Sequence, residues 1–291
     1  DRARLFLVDS DGGKSVTVLV GTEQHRVGPS DSDGSQKTTR PLTGSARSFA
    51  GAGDWLSLKV EREPGILSPR SARVQPVPPT GLSVISDIDD TIKVSRVTDR
   101  RQLLEYTLFR EFEAAPGMAK RYAAWGKQGA AVHFVSSSPW QLYPQLAQFA
   151  DEAGFPSASF HLKAFRFRDE TLLNLFKEGA ETKPAQIEPI LQAWPQREFV
   201  LVGDSGEHDR AIYAEFLQSD PDRIVAAFIR DVGPVVSFDL RPGSPRETPQ
   251  PGEDGIIACS NALEMAQAAL ALGLVDDLTI EEVLIELGAR F

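Results

Sequence analysis

The feature that most constrains this chain is a series of short apolar runs, each ending in polar residues and followed by a stretch of helical character. From residue 82 onward, four such runs are rich in β-branched and aromatic residues: Leu82–Ile88, Ala131–Val135, Glu198–Val202 and Ile224–Ile229. Strand-like runs that alternate with helices form parallel sheets covered by helices on both faces. The sequence therefore predicts a doubly wound α/β fold that binds its ligand at the carboxyl ends of the strands.

The N-terminal part of the chain has a different pattern. Valines recur at every second position of residues 16–20, and large apolar residues do the same over residues 56–60. A period of two over such short stretches indicates half-buried strands, and the prolines at 76, 78 and 79 predict a stiff connection. We therefore predict a small N-terminal all-β domain, similar to a β-sandwich, over residues 1–78. Residues 79–291 form the predicted α/β domain, which ends in two C-terminal helices.

Three aspartates follow the first apolar run of the α/β domain. Asp87, Asp89 and Asp90 lie within four positions of one another. Carboxylates this close raise one another's pKa, so they must be paired with cations or bound to a metal. In an extended or tightly turned segment Asp87 and Asp89 point the same way, which would let one attack a substrate while the other transfers a proton. The alternative is an acidic turn in which Asp90 caps a helix.

A second acidic group follows the apolar run that ends at Val202. Asp204 and Asp209 lie there, and they would face the first group if the two strands are neighbours in the sheet. Hard oxygen ligands from separate strand ends are what Mg²⁺ prefers, with water and substrate phosphate completing the coordination. The sequence therefore predicts a magnesium site between the two strand ends.

The segment Gly203–Gly206 allows a competing interpretation, because Gly-Asp-Ser-Gly resembles the active-serine segment of chymotrypsin-like proteases. That reaction requires an all-β barrel with a histidine and an aspartate upstream, whereas this segment lies in an α/β pattern. A hydrolase nucleophile elbow would need glycine at position 207, where Glu207 stands. Catalysis by Ser205 is therefore disfavoured.

Two further residues suit an anionic ligand. Ser136 lies at the end of the second apolar run, just before a helix predicted to begin at Pro139, and a helix N-terminus attracts anions. Lys183 precedes Pro184 at the predicted start of another helix, where a lysine is able to grip a phosphate oxygen. Each has an ordinary alternative: helix capping by Ser138 after Ser136, and a solvated surface lysine at 183.

Composition excludes several classes of function. The net charge of −10 disfavours a nucleic-acid groove, and no apolar run is long enough for a transmembrane segment. Cys259 is the one cysteine, so no internal disulfide forms, and we expect a reducing, cytoplasmic location. The four histidines lack the spacing of a zinc site.

Taken in order, these segments resemble the four motifs of the haloacid-dehalogenase (HAD) superfamily. Asp87-x-Asp89-x-Thr91 resembles the first motif, Ser136 the second, Lys183 the third, and Gly203-Asp204 with Asp209 the fourth. The resemblance implies that Asp87 is a nucleophile, that Asp89 is a general acid/base, and that Ser136 and Lys183 bind the phosphoryl group. It also implies that Asp87, the Asp89 carbonyl and Asp204 bind Mg²⁺ with support from Asp209.

A narrower resemblance covers about residues 82–232. Five segments are similar to the catalytic domain of actin-patch-type phosphatidate phosphatases: Asp87–Val94, Val97–Arg100, Pro116–Met118, Ser138–Tyr143 and Gly203–Asp209. The resemblance implies hydrolysis of phosphatidate or a related lipid phosphate at a membrane surface, through an aspartyl phosphate. Two alternatives stay open: the same chemistry on a small soluble phosphate ester, and a catalytically idle scaffold that binds a partner.

Overall fold

The computed structural model describes residues 12–32, 34, 36–41, 56–60, 71–95, 110–164, 179–206, 208–232 and 247–288. Within these residues the chain forms two compact units. The smaller unit holds the described residues from 12 to 78 together with Ala164, and the larger unit holds those from 79 to 163 and from 179 to 288.

The smaller unit is an antiparallel sheet of four strands in the order β2-β1-β3-β4. The strands are β1 (Val16–Val20), β2 (Glu23–Val27), β3 (Leu56–Val60) and β4 (Ser71–Val74). Val20 and Leu56 are buried, and Val18, Leu58 and Val74 pack against them. The alternating pattern that predicted β1 and β3 therefore marks the apolar face of this sheet, and the predicted N-terminal all-β fold is confirmed.

The larger unit is built on a six-stranded parallel sheet in the order β10-β9-β8-β5-β6-β7. Its strands are β5 (Thr80–Asp87), β6 (Ala131–Pro139), β7 (Ala158–Lys163), β8 (Gln196–Asp204), β9 (Ile224–Arg230) and β10 (Ile257–Cys259). The chain runs outward from β5 to β7 and then returns to place β8 on the other side of β5. The strand order therefore reverses between β5 and β8, which is where ligands bind in sheets of this kind.

Helices cover this sheet on two faces, so the predicted doubly wound fold is confirmed. Ile85, Val135 and Leu201 share a cluster with residues of two helices, whereas the neighbouring Ser86 bonds to Tyr122 on another helix. Successive strand residues point to opposite faces, so these helices lie on opposite sides. The helices are α1 (Met118–Lys127), α2 (Tyr143–Ala153), α3 (Gly179–Ala193), α4 (Asp209–Ser219), α5 (Ala262–Ala271) and α6 (Leu278–Glu286).

Two predicted helix starts are wrong. The helix predicted from Pro139 begins at Tyr143, because β6 continues to Pro139 and a short 3-10 helix (Trp140–Leu142) follows it. The register of β6 against β7 shifts between Ser136 and Pro139, so Ser138, the alternative helix cap, belongs to an irregular strand end. Lys183 was predicted to open a helix, but α3 begins at Gly179 and places Lys183 within it.

A chain of hydrogen bonds crosses the sheet beneath the strand ends. Arg197 Nε donates to Ser83 Oγ at 2.8 Å, and Ser83 Oγ lies 3.3 Å from His133 Nε2. His133 Nδ1 lies 2.7 Å from Ser159 Oγ. Since Ser83 accepts from Arg197, its own proton is available to Nε2, and Nδ1 then donates to Ser159. His133 is fully buried, and burial, with repulsion from His161 and Arg197, lowers its pKa to about 3.

This buried histidine predicts a loss of stability in mild acid. The unfolded chain protonates its histidine near the ordinary pKa, whereas folded His133 stays neutral to much lower pH, so the unfolded state binds more protons as the pH falls. Between about pH 7.5 and about pH 5.5, we expect His133 to contribute about 1.4 kcal/mol to the drop in the free energy of unfolding. Denaturant unfolding of His133→Gln should lack this increment, while His208→Gln, at an exposed position, should retain it. Equal pH slopes in the wild type and His133→Gln would contradict the assignment.

Candidate active site

The reversal between β5 and β8 brings the two acidic groups together. Asp87 is the last residue of β5, Asp204 is the last residue of the adjacent β8, and Asp209 is the first residue of α4. One carboxylate oxygen from each of the three lies within 4.8 Å of the others, and all three residues are buried. The expectation that the acids of two strand ends face each other is therefore met by the structure.

Gly203 allows Asp209 to lie this close to the end of β8. A Cβ at position 203 would lie 2.7 Å from the Asp209 Cβ and closer still to its carboxylate. In the absence of that Cβ, the Asp209 carboxylate accepts a hydrogen bond from the Asp204 backbone N–H at 3.3 Å. Glycine at 203 is thus required by close approach.

Lys183 contacts two of the three carboxylates. Its ammonium lies 3.0 Å from Asp87 Oδ1 and also pairs with Asp209 Oδ1. The lysine side chain is 1% exposed, so the alternative of a solvated surface lysine is wrong. A lysine in the interior of α3 reaches these acids because α3 packs on the sheet face that carries Ile85 and Leu201.

Asp89 has a separate set of partners. Lys93 Nζ lies 2.6 Å from Asp89 Oδ1, and Ser95 Oγ donates to the same oxygen at 2.6 Å. Ser136 and Ser138 donate to Oδ2 at 3.2 and 3.1 Å. Burial acts to raise the pKa of Asp89, but attraction to Lys93 and the hydrogen bonds from Lys93, Ser95 and Ser138 outweigh burial, and the pKa is lowered. The carboxylate is therefore held in its ionised form.

Residues 88–95, which follow β5, form a hydrogen-bonded turn. Asp90 has a positive φ of 54°, a conformation that aspartate tolerates better than most residues. Its Oδ1 accepts from the Ser95 N–H at 2.6 Å, and the Ile92 and Lys93 N–H groups both donate to the Ile88 carbonyl. Residues 88–95 contain no helix, so the alternative in which Asp90 caps one is wrong.

Arg230 adds a further positive charge at this edge of the sheet. It is the last residue of β9, and its guanidinium donates to the Asp90 carbonyl. Burial lowers the pKa of Arg230, while the carboxylates of Asp90, Asp204 and Asp231 oppose that effect. Arg230 did not stand out in the sequence, because a lone arginine at a strand end carries no motif.

Ser205 is committed to structural hydrogen bonds. Its hydroxyl donates to Asp231 Oδ1 at 3.2 Å and accepts from the Val232 N–H at 3.1 Å. The segment lies at the end of a strand in the parallel sheet, whereas a chymotrypsin-like site needs an all-β barrel. The protease resemblance of residues 203–206 is coincidental.

The six predicted site residues fall into two groups. Asp87, Asp204, Asp209 and Lys183 form one cluster, and Ser136 joins Asp89 in the adjacent network. Sequence reasoning missed Lys93 and Ser95.

The acidic cluster has the composition of a metal site. Three buried carboxylates meet in a small volume, and Lys183 contacts two of them. Buried carboxylates this close to one another are costly unless cations or a metal bind to them. Hard oxygen donors of this kind suit a hard divalent cation, so the cluster could hold a metal ion.

Comparison with known proteins identifies the family. The sequence profile described as the catalytic domain of phosphatidate phosphatase APP1 matches residues 82–231. The chain belongs to this family. The matched range begins in β5 and ends just after β9, so it contains Asp87, Asp89, Ser136, Lys183, Asp204 and Asp209. The HAD-like resemblance read from the motifs is thereby confirmed.

Two curated relatives are similar over about half of this chain. An uncharacterised protein of Schizosaccharomyces pombe is 38% identical over 156 residues, which are 52% of this chain and 25% of the relative. Phosphatidate phosphatase APP1 of Saccharomyces cerevisiae is 34% identical over 158 residues, which are 53% of this chain and 26% of that protein. The matches therefore span about a quarter of each relative's length.

Proposed function

We propose that this chain is a magnesium-dependent phosphatase that hydrolyses the phosphate monoester of phosphatidate or a related lipid phosphate. The observation that carries the proposal is the position of Asp87. It lies at the strand-order reversal of a catalytic domain of the phosphatidate phosphatase family, where Lys183 contacts it and Asp204 and Asp209 surround it.

The first chemical step is nucleophilic attack by Asp87 on the phosphorus. A phosphate monoester is doubly charged and repels an anionic nucleophile, so the site must supply positive charge and hydrogen-bond donors. Lys183 supplies an ammonium 3.0 Å from Asp87 Oδ1, and the Ser136 hydroxyl supplies a donor from the end of β6. The product is an aspartyl phosphate on Asp87, which divides one difficult displacement into two easier ones.

Asp89 transfers the proton in both steps. It donates a proton to the leaving oxygen as the ester bond breaks, and it then accepts one from the water that hydrolyses the aspartyl phosphate. The donors around Asp89 stabilise its ionised form, which is the form required for the second step. The approach of a dianionic phosphoryl group opposes that stabilisation and favours proton uptake before the first step.

Magnesium would be held by Asp87, Asp204 and the Asp89 carbonyl, with Asp209 in support. When bound, Mg²⁺ polarises the phosphoryl group and neutralises charge that develops during its transfer. The fit rests on the three buried carboxylates whose oxygens lie within 4.8 Å of one another.

The lipid substrate is proposed from the family and from one relative's name, which describes a phosphatidate phosphatase. Because the acyl chains of phosphatidate lie in a bilayer, we propose that the enzyme meets its lipid at a membrane surface. Among the helices that the structure describes, none has the length and hydropathy of a transmembrane segment. The alternative is the same reaction on a soluble phosphate ester.

Purified protein should hydrolyse phosphatidate in mixed micelles faster than glycerol 3-phosphate at equal concentration. The two substrates share the phosphoglycerol group and differ in the acyl chains. Burying only two methylenes of those chains contributes about 1.6 kcal/mol, so we expect a preference in kcat/KM of at least about tenfold. Phosphate release should be measured with Mg²⁺ present. Equal or faster turnover of glycerol 3-phosphate or a sugar phosphate would favour the soluble-substrate alternative, and no turnover of any ester would favour an idle scaffold.

A further inference from the structure

We propose that Lys93 is a positioning residue that anchors one oxygen of Asp89 and thereby leaves the other oxygen as the atom that transfers the proton. This inference rests on the proposed function and extends it, because it assigns separate roles to the two oxygens and explains a buried lysine outside the four motifs.

The donors to Asp89 divide by oxygen and by origin. Lys93 and Ser95 both contact Oδ1, each at 2.6 Å, and both belong to the same turn as Asp89. Ser136 and Ser138 contact Oδ2 at longer distances of 3.2 and 3.1 Å, and they come from the carboxyl end of β6. Oδ1 is therefore held by its own turn, whereas Oδ2 faces the strand end from which the proposed phosphoryl ligand Ser136 projects.

Lys93 is itself fixed on several sides. Its side chain is 1% exposed, and its ammonium lies 4.7 Å from the centre of the Phe112 ring. Its backbone N–H donates to the Ile88 carbonyl at 3.0 Å, and its carbonyl accepts from the Asp90 N–H at 2.7 Å. A lysine that is held at both its backbone and its ammonium loses little further entropy when it anchors a carboxylate, so it suits a positioning role.

The two serines on Oδ2 differ in kind from the anchor. The Ser136 hydroxyl donates to Asp89 Oδ2 and is able to donate to a bound phosphoryl group instead. That exchange would release Oδ2. Oδ1 has no such exchange, because its ion pair lies within the turn. The arrangement keeps the carboxylate oriented at the moment when Oδ2 must exchange hydrogen-bonding partners for a leaving oxygen.

Loss of the Lys93 anchor should therefore slow the steps that need proton transfer more than the steps that do not. Phosphatidate has an alkoxide leaving group that must be protonated, whereas 4-nitrophenyl phosphate has a leaving group that departs without a proton. With Mg²⁺ present, Lys93→Met should lower kcat for phosphatidate by about 100-fold. The same substitution should lower the rate of the nitrophenol burst from 4-nitrophenyl phosphate less than about threefold. Comparing each rate with the wild-type rate on the same ester removes differences between the esters.

A double-mutant cycle separates positioning from a general structural role. If Lys93 acts through Asp89, Lys93→Met should change the phosphatidate rate less than about threefold when Asp89→Asn is already present. Lys127→Met is the matched control, since it breaks an exposed ion pair with Glu282 and should leave both rates unchanged. Ser95→Ala removes the other Oδ1 donor, and it should give a smaller loss with the same dependence on leaving group even if Lys93→Met does not fold.

The outcomes distinguish this inference from the function on which it rests. Equal slowing of both esters by Lys93→Met and by Ser95→Ala, additive losses in the cycle, or unchanged rates would overturn the positioning role while leaving the phosphatase proposal intact. Wild-type protein that hydrolyses neither ester would overturn both. A crystal structure of Lys93→Met provides a check without activity: we expect a reoriented Asp89 carboxylate, and an unmoved one would contradict the anchor.

Discussion

Asp87→Asn is expected to lower kcat for phosphatidate by at least about four orders of magnitude, which is the size of loss that follows removal of a catalytic nucleophile. An amide has nearly the shape of a carboxylate but is a very poor nucleophile, so the aspartyl phosphate cannot form. The fold should survive, because Lys183 retains its pairing with Asp209 and position 87 keeps its place in β5. Phosphate release and the thermal midpoint should be measured on the same preparation.

The control for this substitution is Asp222→Asn, which makes the same chemical change at an exposed position. It should have wild-type activity and a wild-type thermal midpoint. If Asp87→Asn keeps near-normal turnover, Asp87 is not the nucleophile. If it loses activity together with its cooperative unfolding transition, the loss reports folding instead of catalysis.

Removal of divalent metal is expected to abolish turnover, and Mg²⁺ in excess of the chelator should restore it. The physical reason is the crowding of the Asp87, Asp204 and Asp209 carboxylates in a small buried volume, which favours a bound divalent cation. Binding of Mg²⁺ should also stabilise the folded protein, by about 2.7 kcal/mol when its concentration is about 100 times the dissociation constant. That second measurement does not depend on catalysis.

Asp204→Asn connects the metal requirement to a particular residue. Replacing a charged ligand with an amide should raise the Mg²⁺ concentration for half-maximal activity and for thermal stabilisation by at least about tenfold. The neighbouring pair of Arg210 and Asp254, which lies outside the acidic cluster, provides a control, because Asp254→Asn should change neither quantity. Full activity in excess chelator, or Mg²⁺ stabilisation that is unaltered in Asp204→Asn, would contradict the proposed metal site.

The sequence was sufficient to predict the elements that place the main cluster. Asp87 and Asp204 each end a buried strand, and parallel strands that start on the same side of a sheet end at one edge. Once the two strands are neighbours, their terminal aspartates must be close. Asp209 joins them because α4 begins only five residues after Asp204. Family resemblance added the roles, and the structure added the distances.

Local backbone geometry explains what the sequence did not reveal. Lys93 is four positions from Asp89, a spacing that pairs side chains on a helix, but residues 88–95 contain no helix. The pairing of Lys93 with Asp89 depends on a turn in which Asp90 adopts a positive φ, and no pattern in the sequence predicts that turn. The irregular end of β6 was mistaken for a helix start for a similar reason, since a serine before a proline is also what a helix cap looks like.

The most direct test of the proposed mechanism is chemical trapping of the phosphorylated enzyme. Wild-type protein should be mixed with Mg²⁺ and ³²P-labelled phosphatidate, quenched in acid within one turnover, digested, and mapped by mass spectrometry. We predict one acid-stable, hydroxylamine-sensitive phosphate on the peptide that contains Asp87, absent from Asp87→Asn. Label on Ser136 or Ser205, or normal turnover with no labelled Asp87 peptide at any quench time, would contradict the central claim that this chain hydrolyses its substrate through an aspartyl phosphate at Asp87.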